Sequence, residues 1–151
     1  MATAPEIAER HLPDPEWPVA HVFWEGCRVG ELRIPRCRDC SRWVWYPASA
    51  CPGCGGARHE WTRVSGRGRL FTWVRVHRAF LPGYKERVPF VTALVELEED
   101  PRVRLATFLR DAPPGGLRAG LPVEVTFETV NERLTLPMFR CVAGGRSQPE
   151  V

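Results

Sequence analysis

The chain has 151 residues, is 44% hydrophobic and 26% charged, and carries a net charge of +3. That apolar content suits a single folded core, and no apolar run approaches the roughly 18 residues of a membrane span. So small a positive excess, nearly all of it Arg with Lys85 the one lysine, does not make nucleic-acid binding the default reading.

In chain order, residues 1–15 hold Pro5, Pro13 and Pro15 without periodicity and read as a flexible arm. This acidic, Pro-rich start has no apolar h-region, so a cytoplasmic protein is expected rather than a secreted one. Residues 16–33 read as an N-terminal helix. Pro18 suits a first turn and Glu16 the positive end of the helix dipole. Ala20, Phe23, Trp24 and Cys27 recur at helical spacing, while Gly26 and Gly30 weaken the helix. The stripe has two readings: packing on the chain's own core, or docking of a partner through Trp17, Phe23 and Trp24.

Residues 34–59 contain two Cys-x-x-Cys pairs, Cys37/Cys40 and Cys51/Cys54, with Trp43, Trp45 and Tyr46 between them. Four thiolates at this spacing bind Zn²⁺ tetrahedrally in a rubredoxin-like zinc ribbon. The second pair reads CPGCG, with Gly55 placed for a positive φ, whereas Ser41 stands where the first pair would take Gly more easily. Iron uses the same four ligands, so a small electron carrier is a competing reading. A thioredoxin-like redox pair fits less well, because neither pair opens a helix after a strand. His59 could replace a ligand, but four cysteines suffice, and it is expected at the surface. Cys27 and Cys141 read as small apolar residues.

Beyond residue 60 the period changes to two. Leu70, Thr72, Val74 and Val76 alternate with Phe71, Trp73, Arg75 and His77 in a first strand, after the turn residues Ser65–Gly68. Residues 89–98, 102–109, 122–130 and 137–143 give four more, with a loop over 111–120, and residues 144–151 form a flexible tail. The fold class is therefore mainly β. A five-stranded OB-fold barrel over 60–143 is the expectation, and an SH3-like barrel the alternative closure.

A catalytic set is not apparent. His11, His21, His59 and His77 are scattered, and neither a nucleophile elbow nor a phosphate-binding Gly-rich loop is present. Arg67, Arg69, Arg75 and Arg78 flank the first barrel strand and suit CoA phosphates or an acidic partner surface, although solvated arginines are the plainer reading. Phe71, Trp73 and Tyr84 could stack bases, which makes a single-stranded nucleic-acid binder the alternative function. Glu96, Glu98, Glu99, Asp100 and Glu124 interrupt any basic groove, so nucleic acid is the less expected partner.

Helix, cysteine ribbon and barrel in this order resemble a family catalogued as a domain of unknown function, zinc-ribbon plus OB-fold proteins of acyl-CoA metabolism. FWEG at 23–26, GELRIPRCRDC at 30–40, CPGCG at 51–55, SGRGRLFTWVRVH at 65–77, PFVTALVELEE at 89–99 and GLPVEVTFE at 120–128 carry the resemblance, which covers about residues 17–143. It implies a structural Zn²⁺ on Cys37, Cys40, Cys51 and Cys54. It further implies a non-catalytic subunit that binds a thiolase-superfamily enzyme, a lipid-transfer-type aldolase or a MaoC-type hydratase. Such a subunit would assist acyl-CoA binding or transfer at the interface, in lipid or steroid degradation. Ser41 departs from the family's usual Gly after the first pair.

Overall fold

A computed structural model describes residues 12–113 and 116–142 of the chain. The expected tail, and the arm up to residue 11, lie outside the described residues. One helix, α1 (His21–Arg28), precedes seven strands: β1 (Arg33–Cys37), β2 (His59–Arg63), β3 (Arg67–Val76), β4 (Phe90–Leu97), β5 (Arg104–Arg110), β6 (Pro122–Thr129) and β7 (Thr135–Cys141).

The helix is shorter than the spacing predicts. Residues 14–20 form turns, closed by Trp17 N–H donating to Asp14 O and Ala20 N–H to Trp17 O. Gly30, at φ +75°, turns the chain out of the helix and into β1. The stripe packs inward: Ala20, Phe23 and Cys27 are buried, and α1 lies on β7 and β1. Gly26 is needed at the contact, because a Cβ there would stand 2.8 Å from the Glu31 carbonyl.

β1 and β2 form a two-stranded antiparallel ribbon, from Arg33↔Arg63 to Cys37↔His59. The cysteine knuckles sit at its far end. The other five strands close a barrel in the order β3-β4-β5-β7-β6. All ladders are antiparallel except β5–β7, which is parallel and short, pairing Leu109↔Phe139 and Arg110↔Arg140. This order is the OB-fold's, so the OB closure holds and the SH3-like one does not.

Period-two burial explains the strands. In β4, Val91, Ala93, Val95 and Leu97 face inward while the intervening residues lie half-exposed. β3 begins three residues before the alternation that announces it, because Gly68 already sits in the ladder against Leu97. A Cβ on Gly68 would approach the Glu96 carbonyl to 2.3 Å, so the turn-like glycine serves close packing of β3 on β4. A register shift follows between Leu70 and Thr72.

One core joins the helix, the ribbon's base and the barrel: Phe23, Cys27, Leu32 and Ile34 share a cluster with Leu70, Val95, Leu105 and Phe139. A separate small cluster of Cys37, Val44 and Cys51 lies at the knuckles. Trp45 links the two regions. Its ring centroid is 5.3 Å from that of Phe23, and its indole N–H donates to the Arg104 carbonyl at 2.8 Å. Trp45→Phe keeps most of the ring and removes that bond, so it is expected to lower stability by about 1 kcal/mol in denaturant unfolding. An unchanged midpoint would show that the hydrogen bond contributes nothing.

Candidate metal centre

The two cysteine turns have the same backbone geometry. Ser41 N–H donates to Cys37 O at 2.9 Å, and Gly55 N–H to Cys51 O at 2.8 Å. Cys37 N–H donates to Arg42 O and Cys51 N–H to Gly56 O, both at 2.8 Å. Ser41 and Gly55 occupy equivalent left-handed positions, at φ +60° and +75°. Ser41 thus adopts the conformation that its partner turn assigns to glycine.

These turns aim four sulfurs at one point. The Sγ atoms of Cys37, Cys40, Cys51 and Cys54 all lie within 4.8 Å of one another. Cys37–Cys54 and Cys40–Cys51 are 3.6 Å apart. A tetrahedral ion with bonds of about 2.3 Å sets its sulfurs about 3.8 Å apart, so the donor set fits Zn²⁺. Gly53 N–H and Gly56 N–H point at the sulfurs of Cys51 and Cys54, each at 3.4 Å. The N–H groups of Gly53 and Cys54 bring the Cys51 thiol down to about 7. At Cys54 the Gly56 N–H pulls the same way, but the Cys40 and Cys37 sulfurs and burial outweigh it and hold the thiol up near 12. Negative charges on sulfurs this close repel one another, and a dication removes that conflict.

Around the knuckles, Asp39 pairs with Arg58, Arg38 with Glu60 at 3.4 Å, and Arg36 lies over the Trp43 ring at 5.4 Å. His59, expected at the surface, is half-buried opposite Cys37. Its Nε2 is shielded, lacks a hydrogen-bond partner among the described residues, and is not among the converging sulfurs. Pairing of β1 with β2 places it there, which local sequence does not announce.

The remaining candidates are dispersed. Phe23 is buried and edge-on to Trp24, so its side chain is committed to the core and cannot dock a partner as expected. Trp17 is exposed, and Trp24 lines a cavity of about 300 Å³ with Pro18, His21 and Arg133. Arg67 pairs with Glu98 at 2.7 Å, and Arg69 donates to Gly120 O at 3.2 Å. Arg75 is exposed without an ion-pair partner among the described residues. Cys27 is buried, and burial raises its thiol to about 12, an inert core residue.

No helix among the described residues is long and apolar enough to cross a membrane. Residues 24–60 match the rubredoxin-like zinc ribbon domain of ChsH2, and residues 61–128 match its C-terminal OB-fold domain. A DUF35 domain-containing scaffold protein of Methanocaldococcus jannaschii is 30% identical over 114 residues, covering 74% of this chain and 75% of that protein. A probable enoyl-CoA hydratase alpha subunit of Thermomonospora curvata is 32% identical over 121 residues, 80% of this chain; the chain spans only 37% of that subunit. Among solved structures, a chain of the Ltp2–ChsH2(DUF35) aldolase superposes with a TM-score of 0.74 at 29% identity, covering 87% of this chain and 98% of that one.

Proposed function

The chain belongs to the ChsH2-type family that joins a rubredoxin-like zinc ribbon to an OB-fold, and from that premise we propose that it is a non-catalytic accessory subunit of an acyl-CoA enzyme. The observation that carries this reading is its correspondence with nearly the full length of a chain in an aldolase assembly. The partner is a thiolase-superfamily enzyme such as a lipid-transfer-type aldolase, or a MaoC-type hydratase. The partner supplies the reacting groups; this chain helps bind or pass on the CoA thioester of a lipid or steroid.

The chemistry of its own residues supports the assignment. The one set of convergent reactive side chains among the described residues is the four cysteines, and a structural ion takes all four sulfurs. Bound there, Zn²⁺ supplies folding free energy and holds the ribbon upright on the barrel. What remains for function is surface.

Co-expression with a thiolase-like or MaoC-like enzyme subunit, sought among the neighbouring reading frames, tests the proposal. The two are expected to co-purify, and the enzyme's turnover to rise several-fold over the enzyme alone. An enzyme fully active by itself, with this chain eluting separately, would overturn the reading. Binding of single-stranded DNA that weakens steeply with salt would favour the nucleic-acid alternative instead.

A further inference from the structure

We propose that the β3–β4 hairpin is a docking arm, and that the open edge of β3 takes an extended, acidic segment of the partner enzyme as an added strand. The inference rests on the accessory-subunit reading and names the surface through which it works.

The edge is a consequence of unequal strand lengths. β6 pairs with β3 only from Arg67 to Arg69, and the last backbone links on that side are Leu70 N–H to Leu121 O and Gly120 N–H to Leu70 O. From Phe71 to Val76, among the described residues, β4 alone pairs with β3. Six residues at about 3.4 Å each leave roughly 20 Å of edge, the length of an ordinary strand. Folded proteins usually blunt such an edge with charges, prolines or a covering segment. Here Phe71 and Val74 are exposed on it, Val74 at 62%. The hairpin tip beyond adds Leu81 and Phe80, the latter 82% exposed. Single exposed apolar residues are ordinary; four along one arm mark an interaction surface.

The tip is displayed on a fixed stem. Tyr84 stacks on Phe108 with centroids 6.1 Å apart and lies 6.0 Å from Phe90, while Arg87 reaches Glu128 at 3.7 Å. These contacts tie the loop to Phe90 on β4, Phe108 on β5 and Glu128 on β6.

Charge selects the occupant. Between residues 71 and 90 the chain carries Arg75, Arg78, Lys85 and Arg87 against Glu86 alone. Of these cations only Arg87 has an ion-pair partner among the described residues. An acidic segment complements this arm, whereas a second copy would bring two like-signed arms together. The free backbone edge and the aliphatic Val74 and Leu81 favour polypeptide over nucleic acid. Tyr84, one of the rings that could stack bases, is already stacked on Phe108.

Hydrogen exchange on the full chain, alone and with the enzyme subunit co-purified above, tests the arm. The amides of residues 71–76 are expected to gain protection in the complex. Arg75→Glu with Arg78→Glu, and separately Phe80→Asp, are expected to weaken the complex about tenfold or more while zinc content and melting temperature stay unchanged. A complex whose arm amides exchange as in the free chain, and whose variants bind normally, overturns this inference and leaves the accessory role standing. Protection that grows with the concentration of the chain alone, or on adding oligo(dT), overturns it in favour of a second copy or a nucleic acid. Absence of any complex removes the accessory reading and the arm with it.

Discussion

Removing the metal, by chelation or by Cys51→Ser, is expected to unfold residues 37–58 and to leave the barrel folded. The apolar cluster at the knuckles comprises Cys37, Val44 and Cys51 alone, and two of those are ligands. Burying residues of this size contributes a few kcal/mol at most, at roughly 1.5–3 kcal/mol for a full aliphatic side chain. Ordering some twenty residues costs about 1 kcal/mol or more each in backbone entropy. Metal–sulfur bonds, on the order of 10 kcal/mol for structural zinc in finger peptides, supply the largest share of what offsets this, and the packing of Trp43 and Trp45 on the main core adds to it. Leu70, Val95, Leu105 and Phe139 pack without touching this site, so the barrel has its own reason to stay folded. Cys51→Ser and the chelated wild type are expected to share one spectrum: ribbon amides collapsed to unfolded shifts, barrel amides dispersed. Acid acts the same way, because protons compete with the metal for thiolates. The stabilisation is complete at alkaline pH and is lost as pH falls through the metal-bound thiols' pKa, which the ion depresses. A ribbon that keeps dispersed amides after its zinc is gone would show that packing, not metal, orders it.

Losing the ribbon also frees Trp45 from the Arg104 carbonyl and from Phe23. Partner binding is therefore expected to fall on chelation even though the β3–β4 arm is untouched. On this reading the metal acts on function through position, since its four sulfurs converge on one ion.

Why some of this was legible in the sequence and some was not follows from the range of each interaction. The sulfur site was legible because each knuckle is a local turn, and two turns of one type at close spacing can serve one ion. β4 and β5 were legible because each alternates in place, and β6 and β7 because short runs of β-branched and apolar residues stand between turn signals. β2 was not: His59–Arg63 becomes a strand only by pairing with residues far back in the chain, and its sequence shows no alternation. The helix was read too long because its stripe does not mark the ends: residues 14–20 close turns before it, Gly30 turns the chain after it, and β1 claims Arg33. Whether Phe23 packs on the chain's own core or docks a partner stayed open because periodicity reports a face but not what covers it; Trp45, distant in sequence, packs against it. The open edge of β3 was invisible for the same reason. Phe71 and Val74 are plain in the sequence, but where β6 parts from β3 is a fact of the closed barrel.

That closure sets the second large effect. Phe139→Ala is expected to destabilise the barrel by about 3–5 kcal/mol. Phe139 is 1% exposed and sits where β7 meets two neighbours, Val125 on β6 and Leu109 on β5. The β5–β7 seam has a short parallel ladder of two residue pairs, supplemented by the Thr107 hydroxyl donating to the Pro137 carbonyl at 3.2 Å. With so few backbone bonds across it, side-chain packing carries the seam, and an aromatic ring removed there leaves a cavity between strands that the remaining ladder cannot draw shut. Domains of this size have a total stability of about 5–15 kcal/mol, so the variant should unfold at far lower denaturant, while Phe139→Leu loses much less. Zinc content separates this effect from the first. The knuckles do not share the Phe139 cluster, so under native conditions the variant should still bind its ion. A loss below about 1 kcal/mol would mean that the seam is held by its hydrogen bonds after all. Loss of zinc together with stability would mean that ribbon and barrel fold as one unit, and the division between them would then lie in the sequence pattern and not in the energetics.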